Sequence, residues 1–315
     1  MGISIKQFLF CLLLFNSLKL WAAGCETKNL SNSPGFKDAQ TISQIDLAWC
    51  YAFSLAHIIS QKLGRAVSPI DIAIKANSFF KKQFDKGDFE GIPGRLTEDF
   101  VNSLSWVCPE TNYTYPDEPF DHYQEEAKQL RKRASSNCHD HQFHSSFFKN
   151  LVNVDEVFKN IREQQITEPN EMMLKLNAEN CTEKIPVDFK IEVESVSASN
   201  ENKRAKLSND LRSTIDDGKM VSFLFDVTPI FHLLQFQQMS FLENLKVHYS
   251  GNHFATIVGK EEEAGICYYK VRDSAFGNKC ANTKESDQVT CLGDMIYRVP
   301  ESLLLDTIKS TQIAK

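Results

Sequence analysis

One short segment combines two residue types that acyl-transfer chemistry uses. Gln44 stands six residues before Cys50, and Cys50 opens an apolar run that reads as a helix. A thiol at a helix N-terminus lies where the helix dipole stabilises its anion, so it can act as a nucleophile. A glutamine amide just upstream can donate a hydrogen bond to a developing oxyanion. The segment therefore predicts a nucleophile and an oxyanion donor, and the rest of the chain must supply a base.

The first third of the chain is predicted to be helical. Apolar residues recur at helical spacing from Trp49 to Leu63, and Gly64 follows as a stop signal. Ser68 followed by Pro69 is typical of a helix cap with proline in the first turn, so a second helix begins there. A third short helix is expected from Leu96 to Leu104, and Gly87 to Gly94 is expected to be a loop.

The C-terminal part is predicted to be rich in strands, whereas residues 121–180 are polar and indicate an exposed helical insertion. The predicted strands are Val187 to Val193, Met220 to Phe225, Phe254 to Val258 and Cys267 to Val271. A helical half followed by a strand-rich half is an α+β layout, and a site between the two halves would be natural.

The residues around the thiol resemble a known motif. The chain resembles the papain-like cysteine peptidases (C1-type) in their secreted bacterial form, whose motif is glutamine, five residues, cysteine, an aromatic residue, alanine, phenylalanine and serine. The matching residues here are Gln44, Cys50, Tyr51, Ala52, Phe53 and Ser54. The resemblance implies that Cys50 is the nucleophile and that Gln44, with the Cys50 backbone N–H, holds the oxyanion.

The resemblance continues downstream of the insertion. His253 opens an apolar strand, as the family's base does, so it is implied to pair with Cys50 as thiolate and imidazolium. Asp273 takes the place of the family's asparagine, which orients the histidine ring, and Ala275 replaces the tryptophan that covers that contact. As an anion, Asp273 would also raise the pKa of His253.

Three further positions are implied to contact substrate. Gly91 lies in a segment similar to the family's Gly-Gly-Tyr-Pro and would lend its backbone to the substrate. Trp49 precedes the nucleophile and narrows the cleft, and Asn252 precedes the base. Cys50 and His253 are 203 residues apart, beyond the about 130–150 typical of the family, and the insertion at about 121–180 accounts for the excess.

The resemblance implies a two-lobed papain-like fold over residues 25–315, with a helical lobe, a β-rich lobe and the site between them. We expect a monomeric cysteine-type peptidase that cleaves peptide bonds through a thioester and needs no cofactor or metal. A catalytically inactive pseudopeptidase that binds partners through the same cleft is the alternative, and a cell-wall peptide hydrolase is a further one. Each site residue also has a structural interpretation, such as a buried core thiol for Cys50.

The N-terminus is typical of a secretory signal over residues 1–24. Lys6 precedes an apolar core from Phe8 to Phe15 that is too short to span a bilayer, and small residues follow it. The same end also resembles a lipobox, in which Cys25 would carry a lipid anchor. We therefore expect a secreted or cell-envelope protein, in the periplasm or lipid-anchored, without a transmembrane helix.

Charge and cysteine content narrow the partners and the compartment. The net charge is −6 and becomes −8 without the leader, so nucleic acid and anionic membranes are not expected partners, whereas a peptide or protein substrate is. Eight cysteines remain after the leader, and disulfides are expected, with Cys280–Cys291 as the most local pairing. The run from Cys138 to His144 has metal-ligand spacing, but a disulfide-bonded loop is the preferred interpretation.

Overall fold

The structure is a computed structural model that describes residues 25–39, 50–84, 97–112, 177–179, 181–196, 199–226, 229, 235–236, 252–274, 283–284 and 289–315. The fold is mixed α and β, as expected, and contains a large antiparallel sheet. The two-lobed arrangement stays a prediction. Gln44, Trp49, Gly91, Ala275, the leader and nearly all of the insertion lie outside the described residues, so the interpretations placed on them stay predictions.

The described residues of the N-terminal part form three α-helices: α1 is Cys50–Leu63, α2 is Pro69–Phe84 and α3 is Thr97–Ser103. Gly64 follows α1 with φ at 66°, a left-handed conformation that glycine adopts without strain. The Ser68 hydroxyl accepts a hydrogen bond from the Asp71 backbone N–H at 3.3 Å, which caps α2. The predicted starts of all three helices, and the predicted ends of α1 and α3, agree with the structure to within one residue.

Eight strands form one antiparallel sheet in the order β10-β11-β8-β7-β5-β12-β4, with β1 pairing at one end of β7. These strands are β1 Lys28–Asn29, β4 Ile191–Ser195, β5 Val221–Asp226, β7 Asn252–Glu263, β8 Ile266–Arg272, β10 Thr290–Gly293, β11 Ile296–Pro300 and β12 Ile308–Ala314. Two small ribbons pair β2 Trp106–Val107 with β3 Ile185–Pro186, and β6 Gln235–Phe236 with β9 Thr283–Lys284.

Helix α1 packs on β7, β5 and β12, and its residues from Cys50 to Ser60 are buried. The same continuous core extends through Phe223 and Ile257 of the central strands to Leu304 near the C-terminus. The helix that carries the predicted nucleophile is therefore held directly against the strand that carries the predicted base. No helix among the described residues is long and apolar enough to cross a membrane.

Two helices and several strands in the C-terminal part, β10, β11 and β12 among them, were not predicted. Helix α4, Glu201–Asp216, is largely polar and is capped by Asn200, whose side chain accepts from the Lys203 N–H. Helix α5, Glu301–Thr307, leads directly into β12. The C-terminal half is thus not purely strands, because a helix that covers a sheet needs only a narrow apolar stripe, here Leu207, Leu211 and Ile215.

Disulfides are present, and one of them overturns a prediction. Cys25 is bonded to Cys267, so its sulfur cannot also form the thioether of a lipid anchor, and the interpretation of Cys25 as a lipidation site is wrong. Cys108 is bonded to Cys181, and Cys291 is also disulfide-bonded. Cys280 lies outside the described residues, so the pairing of Cys280 with Cys291 stays a prediction.

Candidate active site

Three of the predicted site residues lie together at one end of the sheet. Cys50 is the first residue of α1, His253 is the second residue of β7, and Asp273 directly follows β8. Strands β7 and β8 are neighbours, and α1 packs on β7, so the fold brings together residues that are 203 positions apart in the chain. All three are buried, with exposed fractions of 8%, 2% and 3%.

The His253 ring bridges the other two side chains. Its Nε2 lies 2.7 Å from Oδ1 of Asp273, and the ring also makes a hydrogen bond with the side chain of Cys50. Because Nε2 faces the carboxylate, the bond to the sulfur falls to Nδ1. An imidazole held between a carboxylate and a thiol is the arrangement from which a thiolate nucleophile is made.

The charges around His253 favour its protonated form. Burial alone would lower the pKa of His253, but the Asp273 carboxylate and then Cys50 stabilise the imidazolium and raise its pKa to about 10. A histidine with this pKa carries its proton throughout the neutral range. It can therefore stabilise a sulfur anion at rest and hand a proton to a leaving group during a reaction.

The backbone of Asp273 is held by the turn between the neighbouring strands. The Asp273 backbone N–H donates to the Met295 carbonyl at 3.0 Å, and Met295 belongs to the tight turn between β10 and β11. Asp294 and Met295 both have positive φ there, 49° and 60°. Tyr297, on β11, lies close enough that burial and then the Asp273 charge raise the pKa of its hydroxyl. The sheet thus holds Asp273 in place by backbone contacts.

Phe225 supplies cover for the His253 ring that the sequence did not reveal. It is the residue paired with His253 across β5 and β7, and the two ring centres lie 5.7 Å apart in an edge-to-face arrangement. The resemblance to the family implies such cover at position 275, where the family carries tryptophan and this chain has Ala275. The signal that could have found Phe225 is the pairing of two predicted strands, whose register only the fold provides.

Asn252 lies beside the base but faces a different partner. Its side chain is exposed and accepts a hydrogen bond from the Lys309 ammonium at the start of β12. Within the described ranges, no cluster of three or more His, Cys, Asp or Glu side chains is arranged to hold a metal ion. The stretch from Cys138 to His144 lies outside those ranges, so its interpretation stays a prediction.

Comparisons with known proteins were made for the whole chain. No protein-family model and no curated protein matches it. Among solved structures, it is similar to SERA5E from Plasmodium falciparum at 13% identity and a TM-score of 0.43, over 92% of this chain and 95% of that one. It is similar to digestive procathepsin L 3 from the larval midgut of Tenebrio molitor at 12% identity and a TM-score of 0.39, over 87% and 69%.

A third similar structure is PepW from Lactobacillus rhamnosis HN001, at 11% identity and a TM-score of 0.40, over 100% of this chain and 92% of that one. These likenesses are distant.

Proposed function

We propose that the protein is a papain-like cysteine peptidase in which Cys50, His253 and Asp273 form the catalytic triad. The observation that carries the proposal is the continuous chain of contacts from the Asp273 carboxylate through the His253 ring to the Cys50 side chain. Cys50 is also the free thiol among the described cysteines, the others being disulfide-bonded. A buried core thiol would not need a buried imidazole with its own carboxylate.

The proposed reaction has two halves. The Cys50 sulfur attacks the carbonyl carbon of a peptide bond, a C–S bond forms, and the imidazolium of His253 protonates the departing amine. Water then attacks the thioester while His253, now neutral, accepts its proton, and the acid product leaves with the thiolate restored. Asp273 keeps the ring oriented and stabilises its positive charge.

The oxyanion formed in each half needs hydrogen-bond donors. We assign this role to the backbone N–H of Cys50, which lies at the N-terminal end of α1 where helix N–H groups are unpaired. Gln44 is proposed as the second donor on the strength of its position in the motif. Gly91, Trp49 and Asn252 are proposed to contact the peptide substrate.

The compartment is proposed from the disulfides and the leader. Cys25–Cys267 and Cys108–Cys181 fit an oxidising environment, so we propose that residues 1–24 direct secretion and that the mature enzyme begins near Cys25. N-terminal sequencing of the protein recovered from its host tests this. A mature chain that still carries residues 1–24 would contradict it.

A thiol-directed peptidyl epoxide tests the peptidase directly. Wild-type protein is expected to be labelled at Cys50 and to lose its ability to cleave a mixed peptide library, whereas Cys50→Ala is neither labelled there nor active. Labelling and cleavage that persist in Cys50→Ala would overturn the proposal. A binding function that survives Cys50→Ser, with no cleavage by the wild type, would instead support the pseudopeptidase alternative.

A further inference from the structure

A polar stripe runs along the face of α1 that meets the sheet. Cys50, Ser54, His57 and Gln61 follow the spacing i, i+4, i+7 and i+11, which places them within about 60° of one another around the helix. A helix that packs on a sheet usually turns apolar residues toward it. Here every member of the stripe instead makes a hydrogen bond to the sheet or to the turn that leads into it.

Ser54 occupies the densest part of the stripe. Its hydroxyl lies 2.7 Å from the Ala255 carbonyl, 2.8 Å from the Ser222 hydroxyl and 2.9 Å from the Thr256 hydroxyl. Ser54 is 2% exposed, and Ser222 and Thr256 are fully buried. Three polar contacts on one buried hydroxyl tie α1 to both central strands, β5 and β7.

The stripe continues toward the C-terminal end of α1. Nδ1 of His57 lies 3.0 Å from the Thr256 hydroxyl. The Gln61 side chain donates to the Gly218 carbonyl at 3.0 Å and accepts from the Met220 N–H at 2.8 Å. The helix is therefore fixed at three successive levels below the site.

The hydrogen bonds that link His57, Thr256, Ser54 and Ser222 can all form only if the donors point in one direction along this chain. His57 donates from Nδ1 to Thr256, Thr256 donates to Ser54, and Ser54 shares its hydrogen between the Ala255 carbonyl and Ser222. Ser222 then donates to Oε1 of Gln312 on β12 at 3.0 Å. In the reverse direction the Ser54–Ser222 contact would have no hydrogen, so the network selects the neutral Nδ1–H form of His57.

The distance between successive contacting residues along α1 matches the distance between their partners along β7. One helical turn from Cys50 to Ser54 rises about 6 Å. Two residues along β7, from His253 to Ala255, advance about 6.8 Å. Cys50 opposite His253 and Ser54 opposite Ala255 are thus adjacent contacts between α1 and β7, which run side by side.

We propose that Ser54 is a positioning residue that sets the distance between the Cys50 sulfur and the His253 ring. This proposal rests on the proposed function in one respect only, namely that Cys50 is the nucleophile and His253 is its acid–base partner. Ser54 does not touch the reacting atoms; its bonds to Ala255 and Thr256 hold α1 in register with β7. A register error of about 1 Å at a catalytic contact costs up to about 100-fold in rate.

The test is the pH profile of Cys50 alkylation by iodoacetamide in the full chain, with the modified peptide identified by mass spectrometry. In the wild type, contact with the His253 imidazolium is expected to give fast alkylation at pH 6. In Ser54→Ala, the rate at pH 6 is expected to fall about tenfold while the rate at pH 9 stays within about twofold, because only the pairing with His253 is weakened. The kcat for peptide cleavage falls to match, with KM unchanged.

Several groups could titrate near this contact and are accounted for. Asp273, directly after β8, faces His253, Tyr297 of β11 lies near Asp273, and Tyr51 follows Cys50 on α1. Burial and then Asp273 raise the pKa of Tyr297, and burial and then Cys50 raise that of Tyr51. His57 is buried and faces Arg272. None of these is altered in Ser54→Ala.

Ser60→Ala is the matched control. Ser60 is also a fully buried serine of α1, but its hydroxyl accepts from the Val67 N–H at 2.9 Å and lies off the stripe. Ser60→Ala is expected to lose comparable stability and to keep the wild-type alkylation profile. If Ser54→Ala and Ser60→Ala give the same profile, the positioning role is wrong.

A second pair of variants keeps the proposal testable if Ser54→Ala does not fold. Thr256→Val keeps the shape of the side chain and removes the hydroxyl, whereas Thr256→Ser keeps the hydroxyl. Thr256→Val is expected to shift the profile as Ser54→Ala does, and Thr256→Ser to retain it; an unshifted Thr256→Val contradicts the proposal. Since alkylation needs no peptidase activity, this outcome is separate from persistence of cleavage in Cys50→Ala, which would overturn the proposed function.

Discussion

Two buried histidines among the described residues have similar packing and opposite charge environments. His57 and His253 are 6% and 2% exposed. Each meets a phenylalanine edge to face, Phe36 at 5.1 Å and Phe225 at 5.7 Å between ring centres. Burial and then the nearby Arg272 guanidinium lower the pKa of His57 well below its ordinary value, whereas Asp273 and Cys50 overcome burial and raise that of His253 to about 10.

The comparison teaches that the charged partner, and not burial, decides what a histidine can do here. Burial opposes the imidazolium at both positions. Of the two, only His253 has a carboxylate from the described part of the chain within hydrogen-bond distance, at 2.7 Å, which lets it serve as an acid in the neutral range. His57, held neutral, is suited to a fixed hydrogen bond with Thr256.

The largest expected effect separates the two rings by activity. His253→Ala is expected to lower kcat for peptide cleavage by about 1,000-fold, because general acid–base catalysis contributes about 100- to 10,000-fold. His57→Ala removes a positioning contact only and is expected to lower kcat by less than about tenfold. Steady-state kinetics on one peptide substrate measures both, and equal losses would contradict the assignment of distinct roles.

The second-largest effect is expected when the carboxylate beside His253 is removed. Asp273→Asn keeps a hydrogen-bond acceptor beside His253 but deletes the anion, so the pKa of His253 is expected to fall from about 10 toward 6.5. The alkaline limit of kcat should move to lower pH with it. NMR titration of the His253 ring measures the change, and a pKa that stays near 10 would show that Asp273 does not control it.

The third effect is on stability and has opposite signs for the two residues. The raised pKa of His253 stabilises the fold fully below about 6.5, and this contribution is lost as pH rises through about 10. The lowered pKa of His57 works the other way, and its cost grows as pH falls below 6.5. In a Cys50→Ser background, where no thiol titrates at the site, urea unfolding should therefore show greatest stability near pH 6.5.

The expected slope above pH 6.5 is about 1.4 kcal/mol per pH unit for one proton. The decline in the free energy of unfolding ends at the pKa that His253 has in the folded Cys50→Ser protein, where Asp273 still raises it. The double variant Cys50→Ser/His253→Gln is the control, and its free energy of unfolding should not decline above pH 6.5. A decline of equal slope in that double variant would assign the effect to other groups.

The smallest effect concerns the two phenylalanines. Phe225→Leu and Phe36→Leu each remove an edge-to-face contact from a buried histidine, and each is expected to cost about 1–2 kcal/mol in urea unfolding. Only Phe225→Leu admits water beside the His253–Asp273 contact, so only it should lower kcat, by a few-fold. An equal drop in kcat for Phe36→Leu would remove the distinction.

Local signals predicted much of the fold. The helices α1 to α3 follow from apolar spacing, from Gly64 and from the cap at Ser68, and β5, β7 and β8 from their apolar runs. Helix α4 was missed because its exposed sequence has only a narrow apolar stripe. Strand β12 was missed because it mixes polar and apolar residues, Ser310 and Gln312 being buried between β5 and β4.

The sequence predicted those residues of the candidate site that belong to recognisable motifs, and it did not predict the residues that support them. Cys50, His253 and Asp273 stand in a motif order that the sequence displays, and the fold brings them together. Phe225 and Thr256 carry no motif, because their roles depend on the register of β5 against β7 and of α1 against β7. Ser54 did stand in the motif, but its three hydrogen bonds reach partners more than 160 residues away.

The most direct test of a Cys50 nucleophile is to trap the thioester. A peptide ester with a good leaving group is mixed with the full-length protein, quenched in acid within the first turnover, and the protein is weighed and mapped by mass spectrometry. One added acyl mass is expected on the peptide that begins α1, and it should be absent in Cys50→Ala. Turnover of the same ester by Cys50→Ala at the wild-type rate, or an acyl group on another residue, would contradict it.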